Sequence, residues 1–187
     1  MAHSKNFDFN LRPATPADVL TIAVLGMQVF MDTYATEGVR DAIASEALES
    51  FAPEAIAAII ERPDTLFLLA EANQHLVGFA QIRLQTDHRL IGDTQAAELS
   101  RLYVQERFTG RGLGWQLLQR GEAEASARGA SKLWATVWVG NSRALLFYPR
   151  QGYENAGSPV HRLQAETHQN VLFCKPLGAM ESDTVQV

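Results

Sequence analysis

The stretch Arg107–Leu118, RFTGRGLGWQLL, sets glycine at positions 110, 112 and 114 and runs without interruption into residues that favour helix. Immediately before it, AELSRLYV (97–104) reads as a strand. A loop that ends a strand and opens a helix presents unpaired main-chain N–H groups beside the positive end of a helix dipole, which suits an anion. Glycine lets that backbone approach phosphate oxygens closely. The dinucleotide pattern G-x-G-x-x-G fails, because the place for the third glycine after Gly112 and Gly114 holds Leu117. The P-loop pattern G-x-x-x-x-G-K-[ST] occurs nowhere in the chain.

Downstream of the loop, a helix over about 112–128 leads to KLWATVWV (132–139), a strand, and then to NSRALLFY (141–148), a helix. Strand, loop, helix, strand, helix from Glu98 to Arg150 is the grammar of a parallel βαβ unit. Upstream, TLFLLAEA (65–72) and LVGFAQIRLQT (76–86) are strands joined by the turn NQH, and they pair as an antiparallel hairpin. The N-terminal part adds a strand over Phe7–Arg12 and a helix opened by Thr15 as N-cap with Pro16 at its first position, running to about Tyr34. Two more helices follow, VRDAIASEALESF (39–51) and APEAIAAIIE (52–61), and NVLFCKPL (170–177) closes the sheet. The expectation is an α/β fold with a mixed sheet and helices on both faces. Residues 1–177 form a single domain in this reading, and 178–187 a flexible polar tail.

The 187 residues are 47% hydrophobic, enough for one good core. The formal charge of −5, from 16 basic and 21 acidic residues, comes without a basic stripe, so nucleic acid is not an expected partner while a cationic substrate is permitted. A single cysteine forbids an internal disulfide and fits a reducing compartment. The opening MAHSKNFDFN lacks a signal peptide's apolar run, and no segment approaches the roughly 18 apolar residues that span a bilayer. A cytoplasmic protein without a membrane anchor is expected. Cys174 reads as a small buried apolar residue, and His161 and His168 lack further ligands at metal spacing. No metal is expected. Trp115, Trp134 and Trp138 read as core or edge residues.

The stretch VQERFTGRGLGWQLL resembles the coenzyme A pyrophosphate loop of the GNAT superfamily of acyl-CoA-dependent N-acyltransferases, [Q/R]-x-x-G-x-[G/A]. Gly112 and Gly114 match, and Thr109 stands where Gln or Arg is usual. A second register through Arg107, Gly110 and Gly112 shortens the run from the strand. A later segment, VWVGNSRALLFYPRQGY, is similar to the family's N-x-x-A-x-x-F-Y-x-x-x-G-[F/Y] at Asn141, Ala144, Phe147, Tyr148, Gly152 and Tyr153, with Pro149 as a departure. FMDTYA (30–35) resembles the F-x-D-T-[YF] stretch of the PaiA-like bacterial branch, which includes polyamine acetyltransferases.

The resemblance implies a GNAT-type, mostly antiparallel central sheet whose parallel pair is formed by the fourth and fifth strands. It also implies acetyl transfer from acetyl-CoA to a primary amine by direct attack in a ternary complex. Such an amine has an ordinary pKa of about 10.4 and must lose a proton first. Glu98 matches the family's general base, and Tyr148 its general acid, a phenol able to protonate the departing thiolate. Coenzyme contacts are implied at Leu102, Tyr103 and Val104 on the strand, chiefly through main chain. Others fall at Thr109, Gly110, Arg111, Gly112, Leu113, Gly114 and Trp115 in the loop, and at Asn141, Ala144 and Phe147 on the later helix. Asn141 fits equally as a plain N-cap. Arg150 reads as a ligand of the coenzyme's 3′-phosphate or as a solvated surface arginine. Asp32 and Tyr34, with Glu37, fall in the region of the acceptor pocket, where carboxylates suit a cationic amine. A homodimer is also implied. The alternative is a non-catalytic fold of the same family that holds coenzyme A or a metabolite as a sensor or scaffold.

Overall fold

The structure, a computed structural model, describes residues 8–163 and 166–178. Strand β1 (Asn10–Pro13) is joined to a single tight helical turn, Pro16–Asp18, and then to α1 (Val19–Tyr34). Thr15 and Pro16 thus open a 3-10 turn three residues ahead of the α-helix. The Asp18 carboxylate closes that turn, accepting from the Thr15 main-chain N–H and hydroxyl, each at 2.8 Å. Arg12 donates to the same carboxylate at 2.7 Å and to Glu71 at 2.6 Å. The guanidinium holds the Asp18 carboxyl well below the usual carboxylate range. Helices α2 (Asp41–Ser50) and α3 (Pro53–Ile60) follow, the latter with proline at its first position, where no N–H is needed.

Strands β2 (Thr65–Ala72) and β3 (His75–Arg83) are linked by Asn73 and Gln74, at φ of 50° and 64°. Two consecutive left-handed residues make the primed hairpin turn whose twist matches the flanking strands. β3 stops three residues short of expectation, and Gln85, at φ 49°, breaks the extended run just beyond it. Then come β4 (Ala97–Val104), α4 (Leu113–Ala127), β5 (Lys132–Trp138) and α5 (Ser142–Arg150). Three antiparallel strands end the chain: β6 (Glu154–Gly157), β7 (Val160–Leu163) and β8 (Glu166–Pro176). The sequence reading foresaw only the last of these. β6 and β7 are four residues long and owe their form to pairing with β8 rather than to an apolar pattern of their own. Of the expected C-terminal tail, residues 179–187 lie outside the described residues, as does Phe7 at the start of the expected first strand.

The sheet order is β1-β2-β3-β4-β5-β8-β6, with β7 paired to β8. β4 and β5 run parallel, Ala97 opposite Leu133 and Glu98 opposite Trp134, because a helix carries the chain back between them. The backbone divides into two compact units, one running to Gln81 and resuming over Arg101–Gln119, the other covering Ile82–Ser100 and resuming at Arg120.

The first unit is built on aromatic rings. Phe79 lies 5.2 Å from Phe67 and 5.3 Å from Tyr103, and Phe51 packs 5.8 Å from Phe30 and 6.1 Å from Tyr103. Those rings occupy one face of β3 and β4. On the other face Gly78 sits against Val104 and Leu117 of α4, so helical residues cover both. A shallow apolar groove of about 390 Å³ runs along α1, lined chiefly by Leu20, Val24, Met27, Met31 and Pro53. In the second unit, Leu133 and Leu172 are fully buried. The Trp134 indole donates to Thr86 O at 2.8 Å and packs with Ala96 and Leu172.

Gly26 marks the tightest point of α1. Helix propensity favours replacing an interior glycine with alanine by about 1 kcal/mol. A methyl group here overlaps the ring of Phe51, which is 1% exposed, with Phe79 3.4 Å away behind it. Overpacking of this kind costs about 1–3 kcal/mol and wins. Gly26→Ala is therefore expected to lower the urea midpoint by the equivalent of about 1 kcal/mol, and Phe51→Leu in the same chain to recover part of it. A midpoint that rises in Gly26→Ala contradicts this packing.

Candidate functional site

The glycine loop begins where β4 ends. Gln105 donates to Val77 O at 2.9 Å, and a turn over Glu106–Phe108 reverses the chain. Thr109 closes that turn with both its groups: its N–H reaches Glu106 O at 3.1 Å and its hydroxyl reaches the same oxygen at 2.8 Å. The residue that departs from the expected Gln or Arg is thus spent locally. Gly110 and Gly112 follow at φ of 70° and 78°, conformations that L side chains rarely adopt, and nothing lies within 4 Å of where a Cβ would stand at either. Gln116 donates to Gly112 O at 3.0 Å, which makes Gly112 the N-cap of α4. The N–H groups of Gly112, Leu113, Gly114 and Trp115 then form the helix's first turn, which has no acceptors of its own. Gly110, Arg111, Gly112 and Trp115 are exposed. Leu113 is 1% exposed, so its side chain anchors the helix in the core and offers only main chain to a ligand. The Arg111 guanidinium lies 6.0 Å over the Phe108 ring.

On β4 the side chains of Leu102, Tyr103 and Val104 are half-buried. Tyr103 belongs to the aromatic cluster, and burial drives its phenol well above the ordinary tyrosine value.

In the second unit, α5 is capped by Asn141, whose Oδ1 accepts from the Ala144 N–H at 3.1 Å. The N-cap role is therefore filled by Oδ1, and the side-chain amide NH₂ takes no part in that bond. Tyr148 is 6% exposed. Its ring stacks on Phe173 at 5.5 Å and 21° and meets Tyr153 and Phe147 edge-on at 5.4 and 5.3 Å. Pro149 lies inside the last turn, and the helix ends at Arg150, within two residues of Tyr148. The Tyr148 carbonyl accepts from Gln151 at 2.9 Å and from Tyr153 at 3.2 Å, so the main chain is held even where proline removes a donor. Arg150 is exposed.

A polar network supports this aromatic group, and the sequence reading missed it. Glu122 of α4 accepts from the Tyr153 hydroxyl at 2.9 Å and from Lys175 Nζ at 2.8 Å, and the lysine cation also lies 5.6 Å over the Tyr153 ring. Burial and the Glu122 charge push the Tyr153 phenol far above its ordinary value. Glu122 and Lys175 stand in different elements, and only their approach in space reveals the pair. Glu98 is half-buried on β4, in register with Trp134.

The residues expected near an acceptor do not share surroundings. Asp32 and Glu37 are exposed. Tyr34 packs 4.8 Å from Phe30, and burial raises its phenol while the Arg101 guanidinium pulls the other way. Cys174 is half-buried rather than fully buried, and desolvation raises its thiol. His161 and His168 face each other across β7 and β8. Among the described residues no group of three or more His, Cys, Asp or Glu side chains is placed to hold a metal ion, and no helix is long and apolar enough to cross a membrane.

Residues 35–153 match the sequence model of the acetyltransferase (GNAT) family. An uncharacterized N-acetyltransferase of Mycobacterium bovis is 30% identical over 134 residues, covering 69% of this chain and 81% of that protein. An uncharacterized N-acetyltransferase of Lactobacillus delbrueckii subsp. lactis is 22% identical over 160 residues, 86% of this chain and 92% of its own. Among solved structures, the PaiA N-acetyltransferase of Thermoplasma acidophilum, in complex with coenzyme A, shares the fold at a TM-score of 0.71. That likeness covers 90% of this chain and 99% of the other, at 24% identity. With the loop, the parallel β4/β5 pair and the capped α5 in place, the chain belongs to the GNAT family of acetyltransferases and is an enzyme of that family.

Proposed function

We propose that this enzyme transfers an acetyl group from acetyl-CoA to a primary amine by direct attack within a ternary complex, acting as a single domain over residues 1–177. The observation that carries the reading is the pair of open, left-handed glycines, Gly110 and Gly112, at the exposed first turn of α4. Main-chain amides there suit the coenzyme's diphosphate, since they are oriented before the anion arrives and lose no side-chain entropy on binding it. The main chain at Leu102 and Val104 pairs the pantetheine amides in this reading, and Asn141 contributes its side-chain NH₂.

The chemistry needs three proton movements. The acceptor nitrogen must be neutral when its lone pair attacks the thioester carbonyl, and Glu98 takes the surplus proton, directly or through a water. Collapse of the tetrahedral adduct breaks the C–S bond and leaves a thiolate, which Tyr148 protonates, and the second proton shed by the former ammonium nitrogen restores the phenol, giving free coenzyme A thiol and the neutral N-acetyl amine. Thiols of this kind have pKa near 8.5 and phenols near 10, so the transfer is close to balanced. A phenol fixed by three aromatic neighbours suits the task, because its oxygen cannot wander as the bond breaks.

Release of free thiol from acetyl-CoA in the presence of a panel of amines tests the function. Amine-dependent release is expected, whereas tight coenzyme binding without it assigns the fold to a binding module. Tyr148→Phe keeps the stacked ring and is expected to lower kcat by about 10²- to 10⁴-fold with little change in coenzyme affinity. A loss below about threefold removes Tyr148 from the mechanism. Glu98→Gln is expected to abolish the acid-side limb of the kcat/KM profile against pH; an unchanged profile rules out the base.

A further inference from the structure

The one half-buried cation of the aromatic cluster in the first unit is balanced in an unusual way. The Arg101 guanidinium lies 4.8 Å over the Phe51 ring, and its Nη1 donates to Gln81 Oε1 at 2.6 Å. Gln81 is 8% exposed, a buried amide placed among apolar residues, and its carbonyl is spent on the arginine. Arg101 also acts on the Tyr103 and Tyr34 phenols, lowering both against the rise that burial imposes. Among the described residues no carboxylate stands within ion-pair distance of Arg101. Glu46 of α2 is felt at Tyr103 and engages Ser50, whose hydroxyl donates to it at 2.7 Å.

A half-buried guanidinium whose partners are a neutral amide and the Tyr103 hydroxyl keeps an uncompensated positive charge that an anion would meet favourably. If packing on Phe51 were the whole purpose, leucine or methionine would serve without that charge. Arg101 offers a planar fork suited to a carboxylate, beside the Tyr34 and Tyr103 phenols. It directly precedes Leu102 in the strand whose main chain, in the reading above, lies along the pantetheine arm.

We propose that Arg101, oriented by Gln81 and Phe51, binds the carboxylate of the acceptor, so that the substrate is an amino acid or a close derivative rather than a polyamine. This rests on the acyl-transfer reading and refines it. The cation beside Tyr34 repels a second ammonium, which turns the acceptor region away from the diamines that Asp32 and Glu37 alone suggested.

The test uses the full-length enzyme, acetyl-CoA and paired acceptors in which a carboxylate is kept or replaced: 4-aminobutyrate against 1,4-diaminobutane, where a second ammonium takes its place, and L-leucine against L-leucinamide, where a neutral amide does. At least one carboxylate member is expected to exceed its partner in kcat/KM by about 10- to 100-fold, the range of a charge-assisted hydrogen bond. Arg101→Gln is expected to erase that ratio through KM, with kcat changed far less and the calorimetric affinity for coenzyme A retained. Arg101→Lys, which keeps the charge but loses the fork, is expected to fall between. Equal or better use of the carboxylate-free amines by the wild-type enzyme overturns the proposal and leaves acyl transfer standing. Preference retained in Arg101→Gln overturns it too. Coenzyme binding with no amine acetylated removes the function and the proposal together. Should Arg101→Gln fail to bind coenzyme A, the wild-type panel and Arg101→Lys still decide.

Discussion

The left-handed backbone at Gly110 and Gly112 is the constraint on which the site depends. Those two residues turn the chain out of β4 and into α4 without placing a side chain over the helix's first turn. Any Cβ there adds strain, since the conformation disfavours L residues by roughly 1 kcal/mol or more, and it also stands in the open space where an anion would sit. The amides that result are a property of main chain. That is why Thr109, in place of a long polar side chain, is compatible with the same loop: its hydroxyl tightens the turn over Glu106 instead of reaching toward a ligand.

Each of the two compact units has its own packing. In the first, aromatic packing holds β3 and β4 against α1, and the same cluster lifts the Tyr34 and Tyr103 phenols and accommodates Arg101. In the second, Tyr148 is gripped by Phe173, Tyr153 and Phe147, and Tyr153 is itself fixed by Glu122, which Lys175 neutralises. Family membership accounts for the shared fold, whereas the proposed preference for an anionic over a cationic acceptor rests on local charge at Arg101.

Local patterns carried most of the fold. The glycine loop between a strand and a helix, the NQH turn, and proline at the first turn of α3 each announce themselves through backbone chemistry, and β4, α4 and β5 fell within a residue or so of the positions expected from them. β6 and β7 escaped notice because four-residue strands are too short for an alternation to be read, and their existence depends on β8 as a template. The 3-10 turn at Pro16 escaped because Asp18 answers to Arg12 and Thr15 at once, a three-way contact that spacing alone does not encode. For the site, Asn141 could be placed as a cap from its position before an apolar helix. The buried amide of Gln81 and the charge of Arg101 could not, since twenty residues separate them and neither lies in a motif.

The central claim, that main-chain amides of this loop hold the diphosphate of coenzyme A, is tested most directly by titration calorimetry of the wild-type protein with coenzyme A and, in parallel, with pantetheine, which lacks the diphosphate. The account predicts saturable binding of coenzyme A that is stronger than pantetheine binding by roughly 10²-fold or more, as expected for two or more charge-assisted hydrogen bonds. Equal affinity for the two, or no heat with coenzyme A, contradicts it.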